Sequence, residues 1–269
     1  TRKLGRTEVQ LTELGMGGAP LGDLFEKISE TQAQDTLYAA WEAGIRYFDT
    51  APFYGYGQSE HRVGHFLRQQ ERDSFIVSTK VGRVLKATHD LSRFDQEMWA
   101  GGLPFEHYFD YGYDGIMRSY EDSLQRLGLH TADLLLIHDL DSFFHTTEEQ
   151  ISASVAQLYT SGWRALEELR SSGRIRGIGA GLNRLGMIPR LLDLVDLDFF
   201  IVAMPYTLLD QEALDVEFPL CTEREVDIVI GSVFASGILA TGPTKDALYA
   251  YEQATPEILE KTRNIEAVC

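Results

Sequence analysis

Seven short apolar runs, each followed by a stretch of helical periodicity, constrain this chain of 269 residues more than any other feature. They begin near residues 14, 45, 75, 133, 176, 199 and 227. Strands that alternate with helices form a parallel sheet joined by right-handed crossovers. Two architectures share that rhythm, the open doubly wound sheet and the closed barrel. No Gly-x-Gly-x-x-Gly follows the first run and no Gly-Lys-Ser/Thr loop occurs, so the barrel is favoured. The expected fold is therefore α/β, a (β/α)8 barrel spanning 1–269 as one domain. It is one strand short: an eighth strand and helix are missing, and an open seam would expose strand edges. A chain incomplete at its C-terminal side is the expectation.

Local signals place the elements. Leu14 to Gly18 reads as a strand, and Ser29 with Gln32 as a capping box opening a helix that Gly44 stops. Ile45 to Phe48 is a strand ended by Thr50-Ala51-Pro52, and Ser74 to Lys80 the next. A long irregular region then runs from Gly82 to about Tyr113, carrying Phe94, Trp99, Phe105, Tyr108, Phe109 and Tyr111. So many aromatics cannot all be solvated; the loop either folds over a pocket or carries a minor core of its own. Asp114 is the expected cap of a helix closed by Gly128, and Asp133 to Ile137 a buried strand running into His138. One helix is expected to carry Val155, Leu158, Trp163, Leu166 and Leu169. Thr255-Pro256 opens the last helix, with proline at its first position.

Charge narrows the partners. With 24 basic and 41 acidic residues the chain carries a formal −17, which repels nucleic acid and anionic membranes. Cys221 and Cys269 make neither a disulfide framework nor a metal cluster, in keeping with a reducing cytoplasm. No apolar run approaches the ~18 residues of a membrane span. A cytoplasmic protein is expected.

The candidate chemistry sits at strand ends. Three consecutive strands finish in Asp49, Lys80 and His138, and Tyr54 follows the first by five residues. Neighbouring parallel strands lie about 4.8 Å apart, so these groups can converge at one barrel mouth. Together they make a proton-transfer site. A free phenol titrates near ~10, and a neighbouring ammonium favours the phenolate. Aspartate would hold the lysine, histidine would orient a substrate oxygen, and tyrosine would exchange the proton. Such a site needs a separate hydride carrier. Taken singly, each residue has a plainer reading: turn chemistry for Asp49, packing for Tyr54, a strand-end charge for Lys80, a satisfied core histidine for His138. It is their joint placement on strand ends that argues for function. His61 and His65 share a helix face but lack an accompanying acidic or cysteine ligand, so no metal is expected.

The blocks "YFDTAPFYG", "FIVSTKVG" and "LLLIHD" resemble the aldo-keto reductases, whose Asp-Tyr-Lys-His tetrad matches Asp49, Tyr54, Lys80 and His138 in order and spacing. The resemblance runs the whole length, from "LGRTEVQLTELGMGGAPLG" through "GIGAGLN" to the segment Ser232–Leu239. Within the family, "GGAPLGDLFEKISE", the insertion after Lys80 and "PYTLLDQ" resemble the aldose 1-dehydrogenase branch, which includes L-fucose dehydrogenases and a pyridoxal 4-dehydrogenase. The resemblance implies a nicotinamide cofactor, NADP or NAD, across the barrel mouth. Asn183 matches the residue that binds its carboxamide, and Phe234 a ring that stacks on the nicotinamide. Ser236, Gly237 and Leu239 match the pyrophosphate-binding turn, where small residues let backbone N–H groups approach phosphate. Without the family, the same turn is an ordinary glycine link from strand to helix. Ala203 departs from the pattern, standing where many relatives carry a glutamine. The adenosine-phosphate clamp that separates NAD from NADP falls beyond Cys269.

The implied activity is oxidation of an L-fucose-like aldose at C1 to a lactone, with hydride transfer to NAD(P). The alternatives are a general aldehyde or ketone reductase, a pyridoxal 4-dehydrogenase, and, outside the enzymes, a cofactor-sensing subunit. An intact tetrad argues against the last. The expected partner is a small carbonyl or sugar substrate, and the expected assembly a monomer or small homo-oligomer.

Overall fold

The computed structural model describes residues 1–269, residue 93 by its backbone alone. Seven parallel strands form one sheet: β1 (Met16–Gly17), β2 (Tyr47–Asp49), β3 (Ile76–Val81), β4 (Leu134–His138), β5 (Gly177–Leu182), β6 (Phe199–Ala203) and β7 (Asp227–Gly231). They pair strictly in chain order, with no point at which the order reverses. A doubly wound sheet requires such a reversal, so the order selects the barrel. The sheet also curls on itself: Tyr47 on β2 and Val229 on β7 pack into one interior cluster. Among the described residues its two edges are β1 and β7.

Alternation of side chains along each strand sorts the residues. Leu135 and Ile137 on β4 face the helices and join the larger core, whereas Leu134 and Leu136 face the lumen. The same parity sends Tyr47 and Asp49, Ser78 and Lys80, and His138 inward. On β5 the inward positions are Gly177, Gly179 and Gly181, and this bare face makes room for its neighbours. A Cβ on Gly179 would lie 2.7 Å from the Phe199 ring, and one on Gly181 would touch the Lys80 side chain at 3.5 Å. An N-terminal antiparallel pair, Arg2–Lys3 with Gln10–Leu11, closes the lumen at the far end through Leu4, Val9 and Leu11.

Around the sheet lie α1 (Glu30–Glu42), α2 (Gln58–Leu67), α3 (Tyr113–Leu127), α4 (Glu148–Gln157), α5 (Trp163–Ser171), α6 (Met187–Leu192), α7 (Glu217–Glu223), α8 (Ile238–Thr241) and α9 (Pro256–Glu266). Ser29 caps α1 by accepting from the Gln32 amide at 3.1 Å, and Thr255 caps α9 ahead of Pro256. None of the helices among the described residues is long and apolar enough to cross a membrane.

Three local expectations are corrected. The region after Gly82 is irregular only in its middle: Arg83–Ala87 pairs antiparallel with Phe105–Phe109 at its two ends. The N-cap of α3 is Gly112, not Asp114, because the Asp110 carboxylate accepts the Gly112 amide at 2.9 Å and turns the chain two residues early. The helix from Val155 to Leu169 is interrupted by a π-helical turn at Leu158–Gly162, which separates α4 from α5. That wider turn brings Gly162 so close to the Tyr111 carbonyl that no Cβ fits between them.

The glycine face of β5 gives a direct test. Gly179→Ala forces a methyl into the Phe199 ring and should cost about 1–3 kcal/mol, as overpacking does. Gly17→Ala, where a Cβ meets nothing within 4 Å, should leave stability almost unchanged. Urea unfolding midpoints of the two variants read the contrast, and equal midpoints would disprove the packing account.

Candidate functional site

The site assembles at the C-terminal mouth of the strands. Asp49 ends β2, and its Oδ2 accepts from Lys80 Nζ at 2.7 Å. Lys80 is only 2% exposed, and its ammonium also donates to the Thr50 carbonyl at 2.8 Å. Desolvating an ammonium is costly, and these two acceptors compensate for it. Nζ then lies 4.8 Å from the centroid of the Tyr54 ring. Tyr54 sits in a tight loop between β2 and α2, anchored where its backbone packs on Gly22 with no room for a Cβ. His138, the last residue of β4, meets Tyr54 edge-on with ring centroids 5.8 Å apart. The structure thus brings Asp49, Tyr54, Lys80 and His138 into one cluster.

Electrostatics set their protonation. Burial, with the Asp49 charge next, holds the Tyr54 phenol well above its ordinary value. The lysine therefore does not win outright: Tyr54 rests as a neutral phenol, contrary to the expectation that the ammonium would bring it down. His138 is pushed down to about 3 by burial, with Lys80, Arg83 and His107 adding to the effect against Asp139. It is a neutral imidazole, and its Nδ1 is buried with no hydrogen-bond partner.

A second layer was not legible in the sequence. Asp139, next to His138, has φ of +53°, strained for a residue with a side chain. Its carboxylate accepts from Arg83 Nη2 at 2.7 Å and from Asn183 Nδ2 at 2.8 Å. Burial pushes the Asp139 carboxyl up, but the Arg83 guanidinium and the Asn183 amide hold it down. Arg83 is itself sandwiched, its guanidinium carbon 3.9 to 4.3 Å from the ring centroids of Phe53, Phe109 and Phe144. Asp141 accepts the amides of Asn183 and Phe143, yet burial and the Asp139 charge push it up to about 6. Asn183 is thereby fixed at both its backbone and its side chain.

The insertion after Gly82 supplies the wall. Trp99 is 1% exposed, lies 5.6 Å from the Tyr54 ring and 5.2 Å from the Phe53 ring, and leaves its indole N–H without a partner. The aromatic loop forms a small core of its own, and Tyr54 packs against that core.

After β7 the backbone turns through positive φ at Ala235, Ser236 and Gly237. Nothing lies within 4 Å of a Cβ built on Gly237, so this turn is open to a phosphate group. Leu239 packs behind it against Leu209 and Ala235. Phe234 is turned to the surface, 59% exposed, and is not against Asn183. The ring beside Asn183 is Tyr251, from a hairpin that the sequence reading passed over. Its hydroxyl lies 3.4 Å from Asn183 Oδ1 and its amide donates to Ser236 Oγ at 3.0 Å. The open turn and the fixed Asn183 amide beside Tyr251 fit a nicotinamide dinucleotide.

Comparison with known proteins gives the same family as the motifs. The aldo/keto reductase family profile matches residues 13–269. A pyridoxal 4-dehydrogenase of Microbacterium luteolum is 41% identical over 276 residues, covering all of this chain and 80% of that protein. A D-threo-aldose 1-dehydrogenase of a Pseudomonas species is 38% identical over 267 residues, 95% of this chain and 76% of the relative. Among solved structures, an aldo-keto reductase from Bacillus halodurans in its holo form superimposes with a TM-score of 0.69 at 28% identity, covering 90% of this chain and 69% of that one.

Asp141 carries a pH signature. A carboxyl raised to about 6 in the fold binds its proton more tightly there than in the unfolded chain. Its stabilising share is complete at low pH and is lost as pH rises through about 6. Asp141→Asn should therefore gain stability relative to the parent between roughly pH 4 and 7, by a few kcal/mol at about 1.4 kcal/mol per unit. Unfolding free energies across that range measure it; a constant difference would refute it.

Proposed function

Because the chain belongs to the aldo/keto reductase family, and so is an NAD(P)-dependent oxidoreductase, we propose that it oxidises a cyclic hemiacetal to a lactone, an L-fucose-like aldose at C1 being the first candidate. The observation that carries this reading is the convergence of a neutral phenol, a buried ammonium and a neutral imidazole at one mouth. When bound, the nicotinamide takes or gives the hydride. The proton is the business of the side chains. In oxidation, Tyr54 first loses its own proton to solvent, and the phenolate oxygen then takes the proton of the hemiacetal hydroxyl as hydride leaves the same carbon. In reduction, the neutral phenol gives that proton back to the carbonyl oxygen. Lys80 favours the phenolate and Asp49 holds the lysine. His138 binds the substrate oxygen without adding a charge. Asn183 and the turn at Ser236, Gly237 and Leu239 would hold the cofactor, and Phe234 would stack on its nicotinamide ring.

A hemiacetal substrate is favoured by the two relatives together, since aldoses and pyridoxal each close to a cyclic hemiacetal. The second reading is a pyridoxal 4-dehydrogenase, supported by the 41% identity with that enzyme. Assays with L-fucose and pyridoxal, each with NAD+ and NADP+, separate the two. Formation of no reduced cofactor from either, while simple aldehydes are reduced, would leave a general carbonyl reductase instead.

Tyr54→Phe tests the chemistry. Turnover should fall by roughly 10²- to 10⁴-fold, the usual share of general acid–base catalysis, while NAD(P)H affinity by fluorescence titration stays within about threefold. Retained turnover would remove Tyr54 from the mechanism.

A further inference from the structure

The hydrogen-bonded chain does not stop at Asp49. Ser78 precedes Lys80 by two residues on β3 and shares its inward face, and its hydroxyl donates to Asp49 Oδ1 at 2.6 Å. Tyr47 precedes Asp49 by two on β2, and its phenolic oxygen lies 3.0 Å from Ser78 Oγ. All of Tyr47, Ser78 and Lys80 are buried in the lumen.

Counting protons fixes the direction. A carboxylate only accepts, so the single Ser78 proton is committed to Asp49. Ser78 can then only accept from Tyr47, whose phenol must donate. Burial, with the Asp49 charge next, keeps the Tyr47 phenol well above its ordinary value, so it stays a donor. Lys80 spends one N–H on Asp49 Oδ2 and one on the Thr50 carbonyl, which leaves the third on the side of Tyr54. The order Tyr47, Ser78, Asp49, Lys80, Tyr54 thus runs from the interior of the barrel to its mouth.

We propose that Ser78 and Tyr47 are positioning residues that set how strongly the Asp49 charge is felt at Tyr54, and so how readily Tyr54 gives up its proton. The inference rests on the reading of Tyr54 as the acid–base group. Each proton donated to a carboxylate disperses its charge, and in a dry lumen the effect is larger than in water. Asp49 is the charge that opposes a Tyr54 phenolate most, and Lys80 is the cation that supports it. Tyr54 is faced besides by His138 and Asp139 from β4, by Tyr47 from β2 and by Tyr251 from the hairpin. Ser78 acts on it through Asp49, and Tyr47, last among the groups that face Tyr54, acts chiefly through Ser78 and Asp49.

The experiment is the pH dependence of kcat/KM for oxidation, using whichever of L-fucose or pyridoxal is turned over. Ser78→Ala should move the pH at which the rate levels off upward by roughly one unit, the size expected for losing a hydrogen bond to a charged group. Tyr47→Phe, which removes one oxygen and little volume, should move it in the same direction by less. Ser78→Thr, which keeps a hydroxyl, should restore the parental profile. Thermal unfolding confirms that each variant is folded. A profile that keeps its position in folded Ser78→Ala and Tyr47→Phe overturns the proposal, even if the rates fall uniformly. Tyr54→Phe run beside them separates the two claims. If that variant keeps full turnover, or if no substrate is oxidised at all, the acid–base reading fails and this inference goes with it.

Discussion

A lysine ammonium buried in the lumen of a barrel is the constraint on which the site depends. At 2% exposure Lys80 cannot rely on water, and its charge survives only because Asp49 and the Thr50 carbonyl accept two of its protons. Asp49 in turn is fixed by Ser78, and Ser78 meets Tyr47. Every one of these groups lies on β2 or β3 or in the first residue beyond, so the register of those two strands determines the geometry. Asp49 pairs with Ser78 across the strands. A slip of one residue would turn each inward group toward the helices and leave unpaired charge in an apolar layer.

The second ion pair shapes the other side of the mouth. Arg83 on the inserted hairpin reaches the Asp139 carboxylate, and Asp139 holds the Asn183 amide. One carboxylate thereby connects the insertion, the end of β4 and the end of β5. The backbone strain at Asp139 is tolerated because Arg83 and Asn183 hold its carboxylate and its amide donates to the Gly181 carbonyl. Three aromatic rings sheathe the guanidinium and keep water away. Since the neutral state of His138 depends on burial and on nearby cations, this sheath tunes the imidazole as well as the fold.

Legibility in the sequence followed the range of the interaction. The strands at Phe199–Ala203 and Asp227–Gly231 were readable to the residue, because each is a short apolar run bounded by polar turns. The Gly128 cap was equally plain, its positive φ favouring glycine. The hairpin from Arg83 to Phe109 was hidden because its first strand buries Arg83, Val84 and Leu85 in succession and a long loop separates it from the alternating Phe105–Phe109. The π-helical turn before α5 could not be foreseen either, since the close contact it makes, Gly162 against the Tyr111 carbonyl, joins residues some fifty positions apart.

By itself the sequence determined the number and order of the strands, their parallel sense and the strand ends that carry Asp49, Lys80 and His138. Those are local properties: apolar runs, turn residues and the position of a polar group at the end of a run. Only the tertiary structure decided that Tyr54 is a neutral phenol, that Asp139 and Arg83 stand behind His138, and that Tyr251 rather than Phe234 lies beside Asn183. Protonation depends on desolvation and on charges brought close in space, and a ring's position depends on which loop reaches the mouth. Neither quantity is a function of neighbours in sequence.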